Sequence, residues 1–410
     1  MTSVAPGTAG GLPSCPVARV CIIVLDAVGA GELPDAADFG DAGSSTLAHV
    51  AEAVGGLNLP NLRALGLGNM MPLAGCPPLA EPPSVVGRLR ERSLGKDTTT
   101  GHWELAGIIT PVAMPTYPGG FPDDVIEAFV KATGREVIGN VPASGTEIIQ
   151  ELGDEQVETG KWIVYTSADS VFQIAAHERV IPLGELYAAC KIARQILTGP
   201  HAVGRVIARP FDGSSGSYAR TPNRHDFSLE PARPNHLTRI REAGSTVHAV
   251  GKIADIFAGC DIDSTAPTRS NAEGIIETIR LLHEVPEGLI FTNLVETDSM
   301  YGHRNDPEGF HHCLQEFDRE LPRIRAALRA DDLLILCSDH GCDPTTDSTD
   351  HSREHALLVA HSPSRRPTAE VRHDGEFSDV GATARTWLTG DVPGPDEAGS
   401  PIPFLCAPPS

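Results

Sequence analysis

The sequence predicts an α/β protein with a largely parallel sheet, helices on both faces of that sheet and a second domain inserted into the first. Strand-like apolar runs alternate with amphipathic helical stretches along the 410 residues, which is the pattern of βαβ units. Three of the apolar runs end just before a side chain that can bind a metal. Clusters of Pro and Gly bracket residues 112–232, where the composition changes, and indicate a separate unit.

The three apolar runs predict the strands that matter most for function. In an open α/β sheet, ligands bind just beyond the carboxyl ends of the parallel strands, so three such ends from distant parts of the sequence are expected to meet in one crevice. The runs and the residues that follow them are Arg19–Leu25 before Asp26, Leu289–Val295 before Asp298, and Leu333–Cys337 before Asp339 and His340.

Amphipathic periodicity and the distribution of Pro and Gly predict the helices and the domain division. Amphipathic periodicity predicts helices at residues 122–133, 183–197, 272–283 and 310–330. The Pro-rich segment after Trp387 resembles a loose tail. We therefore expect a disordered tail at 1–16, a first part of the core domain at 17–111, an inserted α/β cap domain at 112–232 and the second part of the core at 233–410.

Composition restricts the class of protein. The 54 acidic and 32 basic side chains give a formal charge of −22, and no cluster of basic residues suited to a nucleic-acid backbone is present. No apolar run approaches the roughly 20 residues needed to cross a membrane, and the N-terminus lacks the pattern of a signal peptide. Nine cysteines without paired spacing indicate reduced thiols. We expect a cytoplasmic protein with neither a nucleic-acid nor a membrane partner.

Six side chains form the candidate metal site. Each could have an ordinary role: an Asp after a strand is often a helix N-cap, and a lone His is often a surface residue. Together, at predicted strand ends and in the loops after them, they favour a metal site. Carboxylate and imidazole donors without thiolates suit Mn²⁺ or Zn²⁺, and six ligands suit two ions about 4 Å apart, as in phosphoryl transfer. The residues are Asp26, Asp298, His303, Asp339, His340 and His351.

A second group lies in the segment Gly95–Glu104, where three threonines, Thr98, Thr99 and Thr100, precede a helix-compatible stretch. These hydroxyls could simply cap a helix. Beside a two-metal site, however, a threonine hydroxyl would lose its proton more easily and could attack phosphorus. The spacing does not say which of the three would do so.

Several longer motifs carry a family resemblance: IVLDAVGAGELPDAADFGDAGSSTLAH, GKDTTTGHWELAG, YTSADSVFQIAAHE, GRVIARPF, RTPNRHDFSL, GKIADIF, NLVETDSMYGHRND and SDHGCDPTTDSTDHSREH. Through these segments, spread over nearly the whole chain, the sequence resembles the phosphopentomutases of the alkaline phosphatase superfamily. The resemblance implies a three-layer α/β/α core of the alkaline phosphatase type with a smaller α/β cap domain inserted into it.

The resemblance also implies the reaction. Such enzymes interconvert α-D-ribose 1-phosphate and D-ribose 5-phosphate, and the 2-deoxyribose pair, with two Mn²⁺ ions and a phosphorylated threonine. The phosphothreonine gives its phosphoryl group to the bound pentose phosphate, and the 1,5-bisphosphate so formed returns its other phosphate. A sugar 1,5- or 1,6-bisphosphate would serve as the phosphorylating activator. The cap would exclude water from the crevice.

Matching the motifs gives each residue an expected role. Thr98 would be the nucleophile. Asp26, Asp339 and His340 would bind one ion, and Asp298, His303 and His351 the other. Ser167, Asp169, Arg205 and Lys252 would contact the substrate, although an Arg or Lys at such a place could equally be a charge at the rim of the site.

Two other classes of function stay open. A related metal-dependent phosphatase or phosphoglycerate mutase would share the metal ligands, although the cofactor-independent mutase uses a serine nucleophile, where this chain offers threonines. A non-catalytic binding protein of the same fold should have lost at least one ligand, and all six are present. The expected partners are small sugar phosphates, and of the oligomeric states a monomer is favoured.

Overall fold

Fourteen strands and twelve α-helices make up the part of the chain described by the computed structural model, which is residues 18–167, 169–367 and 372–406. The tail predicted at 1–16 lies outside these residues. The strands are β1 (Arg19–Leu25), β2 (Gly29–Glu32), β3 (Val85–Leu89), β4 (Val137–Pro142), β5 (Trp162–Thr166), β6 (Val171–His177), β7 (Arg205–Asp212), β8 (Ala219–Arg220), β9 (His225–Ser228), β10 (Val247–Val250), β11 (Ser264–Ala266), β12 (Gly288–Leu294), β13 (Leu333–Cys337) and β14 (Glu354–His361). The helices are α1 (Thr46–Ala53), α2 (Pro60–Ala64), α3 (Thr98–Leu105), α4 (Asp123–Thr133), α5 (Gly145–Thr159), α6 (Leu183–Ile196), α7 (His236–Glu242), α8 (Ile253–Ile256), α9 (Asn271–Glu284), α10 (Pro307–Ala326), α11 (Asp379–Thr389) and α12 (Pro403–Cys406).

The larger sheet has the strand order β11-β10-β12-β1-β13-β14-β2, with β3 also paired to β14. The five strands from β11 to β13 run parallel, and β14 is antiparallel to its neighbours. At the centre, β1 pairs Leu25 with Leu294 of β12 and Val24 with Cys337 of β13. The three strands whose ends carry the predicted ligands are therefore adjacent and in a fixed register.

Both faces of this sheet are covered, which explains the continuous apolar runs in the sequence. Along β1, Cys21 and Ile23 point to one core, with side chains of α1, α2, α9 and α10, whereas Ile22 and Val24 point to the other, with α3, α7, α8, α11 and α12. The result is a three-layer α/β/α sandwich. The predicted α/β class with a largely parallel sheet and helices on both faces is confirmed.

The second sheet, which we call the cap sheet, has the order β4-β5-β6-β7-β8, with β9 also paired to β7. One face packs against α4 and α6 through side chains such as Phe129 and Phe172. On the other face, α5 covers only part of the sheet, around Ile148 and Tyr165. The rest of that face borders a cavity. The strands lie within the predicted insert, and the exact domain boundaries stay a prediction.

Sequence periodicity located the long helices well but misjudged the C-terminal segment. All four predicted helices are present, the last one as α10, which begins earlier and ends earlier than expected. The prediction of a loose tail after Trp387 is wrong. Ile402 and Leu405 are buried against the core, and the Ile402 N–H donates to Thr383 Oγ1 at 2.9 Å. Buried apolar side chains and polar contacts such as Arg385 with Glu397 at 2.9 Å together dock this Pro-rich segment.

Seven cysteines in the described part of the chain, Cys21, Cys76, Cys190, Cys260, Cys313, Cys337 and Cys342, are free thiols, and the reduced state in the cell stays a prediction. Among the same residues, no helix is both long enough and apolar enough to span a bilayer.

A buried histidine makes the stability of the fold sensitive to acid. His236 begins α7 with 2% of its surface exposed, and its Nε2 donates to Ala398 O at 2.9 Å. Burial lowers the pKa of His236 to about 4. The unfolded chain, with a histidine pKa of about 6.5, therefore binds this proton first as the pH falls, and the folded state loses about 3 kcal/mol of stability between pH 6.5 and 4.

We expect His236→Gln, whose side chain stays neutral, to remove this contribution. In urea unfolding at pH 7 and pH 4.5, the free energy of unfolding should fall less for the variant than for the wild type, by about 2 kcal/mol. Equal losses in the two proteins would show that His236 does not titrate in this way.

Candidate active site

Three of the predicted ligands converge after β12. Asp298 lies in a π-helical turn at Thr297–Tyr301, His303 in the turn that follows, and His351 just before β14. The Nε2 atoms of His303 and His351 are 3.3 and 3.4 Å from Asp298 Oδ1 and 3.2 Å from each other. Three potential ligand atoms thus face one point.

Backbone carbonyl groups orient the imidazoles of His303 and of His340, the candidate ligand that follows β13. His303 Nδ1 lies 2.7 Å from Thr349 O, and His340 Nδ1 lies 3.0 Å from Gly341 O. A carbonyl oxygen only accepts, so Nδ1 carries the hydrogen, and in the neutral ring the lone pair of Nε2 points into the site. The Asp298 carboxylate, whose Oδ1 lies 3.3 Å from Nε2, raises the pKa of His303 to about 11. Without a cation, a proton therefore occupies this cluster.

The other predicted ligands meet at the ends of β1 and β13. His340 Nε2 is 3.4 Å from Asp26 Oδ1 and 3.2 Å from Asp339 Oδ2. Asp26 is held from β12 and the turn after it, because Asn293 Nδ2 donates to its Oδ2 at 2.9 Å and Thr297 Oγ1 to its carbonyl oxygen at 2.6 Å. Asp26 leads into a turn rather than a helix. The N-cap interpretation of this residue is therefore wrong.

The carboxylates of this cluster fit divalent cations. One oxygen each of Asp26, Asp298 and Asp339 is buried and has no hydrogen-bond partner among the described residues. Burial and the neighbouring Asp339 raise the pKa of Asp26. Asp26, Asp298 and His340 also offer ligand atoms within 4.8 Å of one another, as do Asp298, His303 and His351. The two sets share Asp298, so the six residues form one cluster, and their division between two ions stays a prediction.

Thr98 is the first residue of α3 and the threonine that reaches this cluster. Its Oγ1 is 3.1 Å from His340 Nε2. The N-cap is Asp97, whose carboxylate accepts hydrogen bonds from the N–H groups of Thr99 and Thr100 and from the Thr100 hydroxyl. Thr100 therefore supports the helix cap, whereas Thr98 faces the candidate metal ligands, and its role as the nucleophile stays a prediction.

A glycine allows α3 to approach β13 so closely. A Cβ on Gly101 would collide with the carbonyl oxygen of Asp339. Any larger residue at position 101 would push the helix, and Thr98 with it, away from His340.

Three of the four predicted substrate residues lie elsewhere, beside the cap sheet on the side where α5 packs. Ser167, Asp169 and Arg205 line a cavity of about 340 Å³, where Arg205 pairs with Asp169 at 3.4 Å. Lys252 precedes α8 in the larger domain and is not among the residues that line this cavity. Within the described part of the chain, no hydrogen bond or ion pair joins these four residues to the metal-ligand cluster. Their substrate role stays a prediction.

Comparison with known proteins identifies the family. Residues 18–389 match the model of the Metalloenzyme superfamily. The chain is 56% identical to a phosphopentomutase of Caldanaerobacter subterraneus subsp. tengcongensis over 365 residues, which cover 89% of this chain and 93% of that protein. A phosphopentomutase of Carboxydothermus hydrogenoformans is 55% identical over 89% of this chain and 94% of its own length. The chain belongs to the phosphopentomutase family.

Membership of the phosphopentomutase family makes the chain an enzyme, an intramolecular phosphotransferase of the isomerase class. The family match and the three-layer sandwich also confirm the predicted core of the alkaline phosphatase type. Among solved structures, a phosphoglycerate mutase of Leishmania mexicana covers 95% of this chain and 98% of its own, with 12% identity and a TM-score of 0.48, a likeness too low to bear on function.

Sequence reasoning missed one residue that contacts this candidate site of the phosphopentomutase fold. His102 is fully buried on α3, and its Nδ1 lies 2.9 Å from Thr98 O and 3.1 Å from Asp339 Oδ2. It therefore connects the segment that carries Thr98 to a metal-ligand candidate. Its position four residues after Thr98, on the same helix face, was a signal that could have revealed it.

Proposed function

We propose that the enzyme interconverts α-D-ribose 1-phosphate and D-ribose 5-phosphate, and the corresponding 2-deoxyribose phosphates, through a phosphothreonine at Thr98. The observation that carries this proposal is the 3.1 Å approach of Thr98 Oγ1 to His340 Nε2, inside a cluster of buried carboxylates with unpartnered oxygens. The names of the relatives, at 50–56% identity, support the choice of pentose phosphates.

The cluster has the donors that two divalent cations require. Asp26, Asp339 and His340 would hold the ion beside Thr98, and Asp298, His303 and His351 the other. Carboxylate and imidazole ligands without thiolate suit Mn²⁺. Two such ions, when bound, supply positive charge that offsets the phosphoryl oxygens and makes a nearby hydroxyl easier to deprotonate.

The reaction then consists of two phosphoryl transfers. In the first, the bond from phosphorus to Thr98 Oγ1 breaks while a bond forms to the free hydroxyl oxygen of the pentose phosphate, and the proton of that hydroxyl passes to Thr98 Oγ1. The product is a pentose 1,5-bisphosphate. In the second, Thr98 Oγ1 loses its proton and attacks the other phosphate, the bond from that phosphorus to the sugar oxygen breaks, and the isomerised pentose phosphate leaves with the proton on that oxygen. Thr98 thus ends each cycle phosphorylated, and a sugar 1,5- or 1,6-bisphosphate would restore a phosphate lost to water.

The cap cavity would position the sugar. Ser167 and Asp169 offer hydroxyl and carboxylate groups for the pentose, and the planar guanidinium of Arg205 can bind two phosphate oxygens at once. Lys252 would add a positive charge from the larger domain. The small-molecule partner is accordingly a sugar phosphate, while the cytoplasmic location and the monomeric state stay predictions.

Parallel assays of isomerisation and phosphate release test this function. With Mn²⁺ and a catalytic amount of glucose 1,6-bisphosphate, we expect ribose 1-phosphate to become ribose 5-phosphate much faster than inorganic phosphate appears. Release that outpaces isomerisation would identify a phosphatase instead. Conversion of 3-phosphoglycerate at a comparable rate would favour a phosphoglycerate mutase.

A further inference from the structure

The face of the cap sheet that packs partly against α5 also carries a row of buried and half-buried side chains that line a cavity. Along β7, Arg205, Ile207 and Arg209 point to this face, because alternate residues of a strand share a side. The neighbouring strand β6 pairs Val171 with Arg205 and Gln173 with Ile207. All five side chains line the 340 Å³ cavity. The cavity therefore continues along β7, beyond Arg205, as far as Arg209.

Positive charge accumulates at the far end of this cavity. Arg209, Arg220 and Arg224 all line it. Arg224 pairs with Asp226, with nitrogen to oxygen distances of 2.6 and 2.7 Å, and Arg209 donates to the neutral Gln173 Oε1 at 3.0 Å. Neither Arg209 nor Arg220 has a carboxylate partner in the described ranges. Burial and the adjacent Arg224 lower the pKa of Arg209, as expected where like charges share one site.

Two further groups at this end are hydrogen-bond donors without an acceptor. The side chain of Tyr165 is fully buried, and its hydroxyl has no acceptor in the part of the chain that the structure describes. The fifteen-residue helix α5 begins here at Gly145 and lacks a side-chain cap. A Cβ on Gly145 would overlap both the Arg220 guanidinium and the Tyr165 hydroxyl. The helix start, the tyrosine and the arginine thus surround one small space.

We propose that these groups form a phosphate-binding subsite for the monoester group of a sugar phosphate. We call it the cap cradle; it consists of Tyr165, Arg209, Arg220, Arg224 and the start of α5 at Gly145. Every member donates hydrogen bonds, several carry positive charge, and helix N-termini favour anions. A doubly charged phosphate with several acceptor oxygens satisfies all of them at once.

The cap cradle is distinct from Arg205. Four residues along a strand separate Arg205 from Arg209, which is about 13 Å. This part of the inference rests on the proposed function. The cavity then binds the phosphate that is not at Thr98 in either of two positions, at Arg205 or in the cap cradle. The bisphosphate can therefore stay on the enzyme while it turns to bring its other phosphate to Thr98. Phosphate binding by the cap cradle does not itself depend on Thr98 or on metal.

Binding to the full chain after chelator treatment tests the cap cradle without the metal site. Calorimetric titration with ribose 5-phosphate should show binding by the wild type. Arg220→Gln should weaken it by about tenfold or more, because a charge-assisted hydrogen bond is lost, and Arg220→Lys should recover part of the loss. Gly145→Ala should weaken binding as well, without removing a charge. The matched control is Arg319→Gln, an exposed arginine of α10 that should bind like the wild type.

The outcomes separate the cap cradle from the proposed function. Unchanged affinity in Arg220→Gln, together with strong loss in Arg205→Gln, would place the phosphate at Arg205 alone and overturn the cap cradle. Thr98→Ala should bind ribose 5-phosphate in metal-free conditions as the wild type does. Wild-type protein that binds through Arg220 but never becomes phosphorylated would leave the cap cradle intact and overturn the mutase mechanism. In turnover, Arg220→Gln should raise KM more than it lowers kcat.

Discussion

Replacement of Thr98 by alanine is expected to abolish isomerisation, with a loss of at least roughly 10³-fold, because the nucleophile is removed. Thr98 Oγ1 is the hydroxyl that lies within 3.1 Å of His340 Nε2. Incubation with glucose 1,6-bisphosphate should phosphorylate the wild type and not the variant. Intact-protein mass spectrometry measures the added phosphoryl group, and peptide mapping locates it.

Neighbouring threonines provide the matched controls. Thr99→Ala removes the adjacent hydroxyl and should keep both the phosphoenzyme and most of the activity. Thr98→Ser retains a primary hydroxyl at the same place and should retain part of the activity. Phosphate that maps to Thr99 or Thr100 in the wild type would show that the nucleophile has been wrongly assigned.

Removal of divalent metal is expected to have a comparably large effect. Chelation should abolish activity on ribose 5-phosphate, and Mn²⁺ should restore it best, because carboxylate and imidazole ligands suit this ion. Metal binding should also release protons near pH 7. The pKa of His303 is raised to about 11 in the absence of a cation, so at pH 7 its imidazole is protonated and must lose a proton to become a ligand.

Two measurements and one variant pair test this expectation. Addition of Mn²⁺ to chelator-treated protein in weakly buffered solution should acidify the solution, and atomic spectrometry gives the number of ions bound. Asp298→Asn should lose metal and activity, since Asp298 belongs to both sets of converging ligand atoms. Asp347→Asn, an exposed acid in the same region as His351, should change neither. Full activity in metal-free enzyme would disprove the two-metal proposal.

The central strands could be predicted from sequence because burial on both faces leaves a strong signal. Strands β1 and β13 have the predicted bounds, and β12 is displaced by one residue. A parallel strand covered by helices on both sides is a continuous apolar run. The side chain that follows such a run then lies at the carboxyl edge of the sheet, which is why Asp26 and Asp339 could be located.

Other features depend on contacts that no local pattern records. Which threonine faces the candidate metal ligands depends on such contacts, because the Thr100 hydroxyl donates to Asp97 whereas Thr98 Oγ1 lies 3.1 Å from His340 Nε2. The docking of Ile402 depends on an apolar surface built from distant segments. The cap cradle combines residues of β5, β7, β8 and the start of α5, and it becomes visible only when alternate faces of the cap sheet are distinguished.

Because β12, β1 and β13 are adjacent, the pairing of these strands sets the relative positions of the candidate metal ligands. Leu25 pairs with Leu294 and Val24 with Cys337, so Asp26 and Asp339 stand at the same level just after neighbouring strands, and Asp298 lies in the turn that follows the third strand. A slip of one residue would displace a carboxylate by about 3.3 Å and turn its strand over. Metal occupancy would therefore depend on the register of β1 with β12, which lies more than 250 residues later in the sequence. A substitution far from the ligands that shifts this register would lower the metal occupancy.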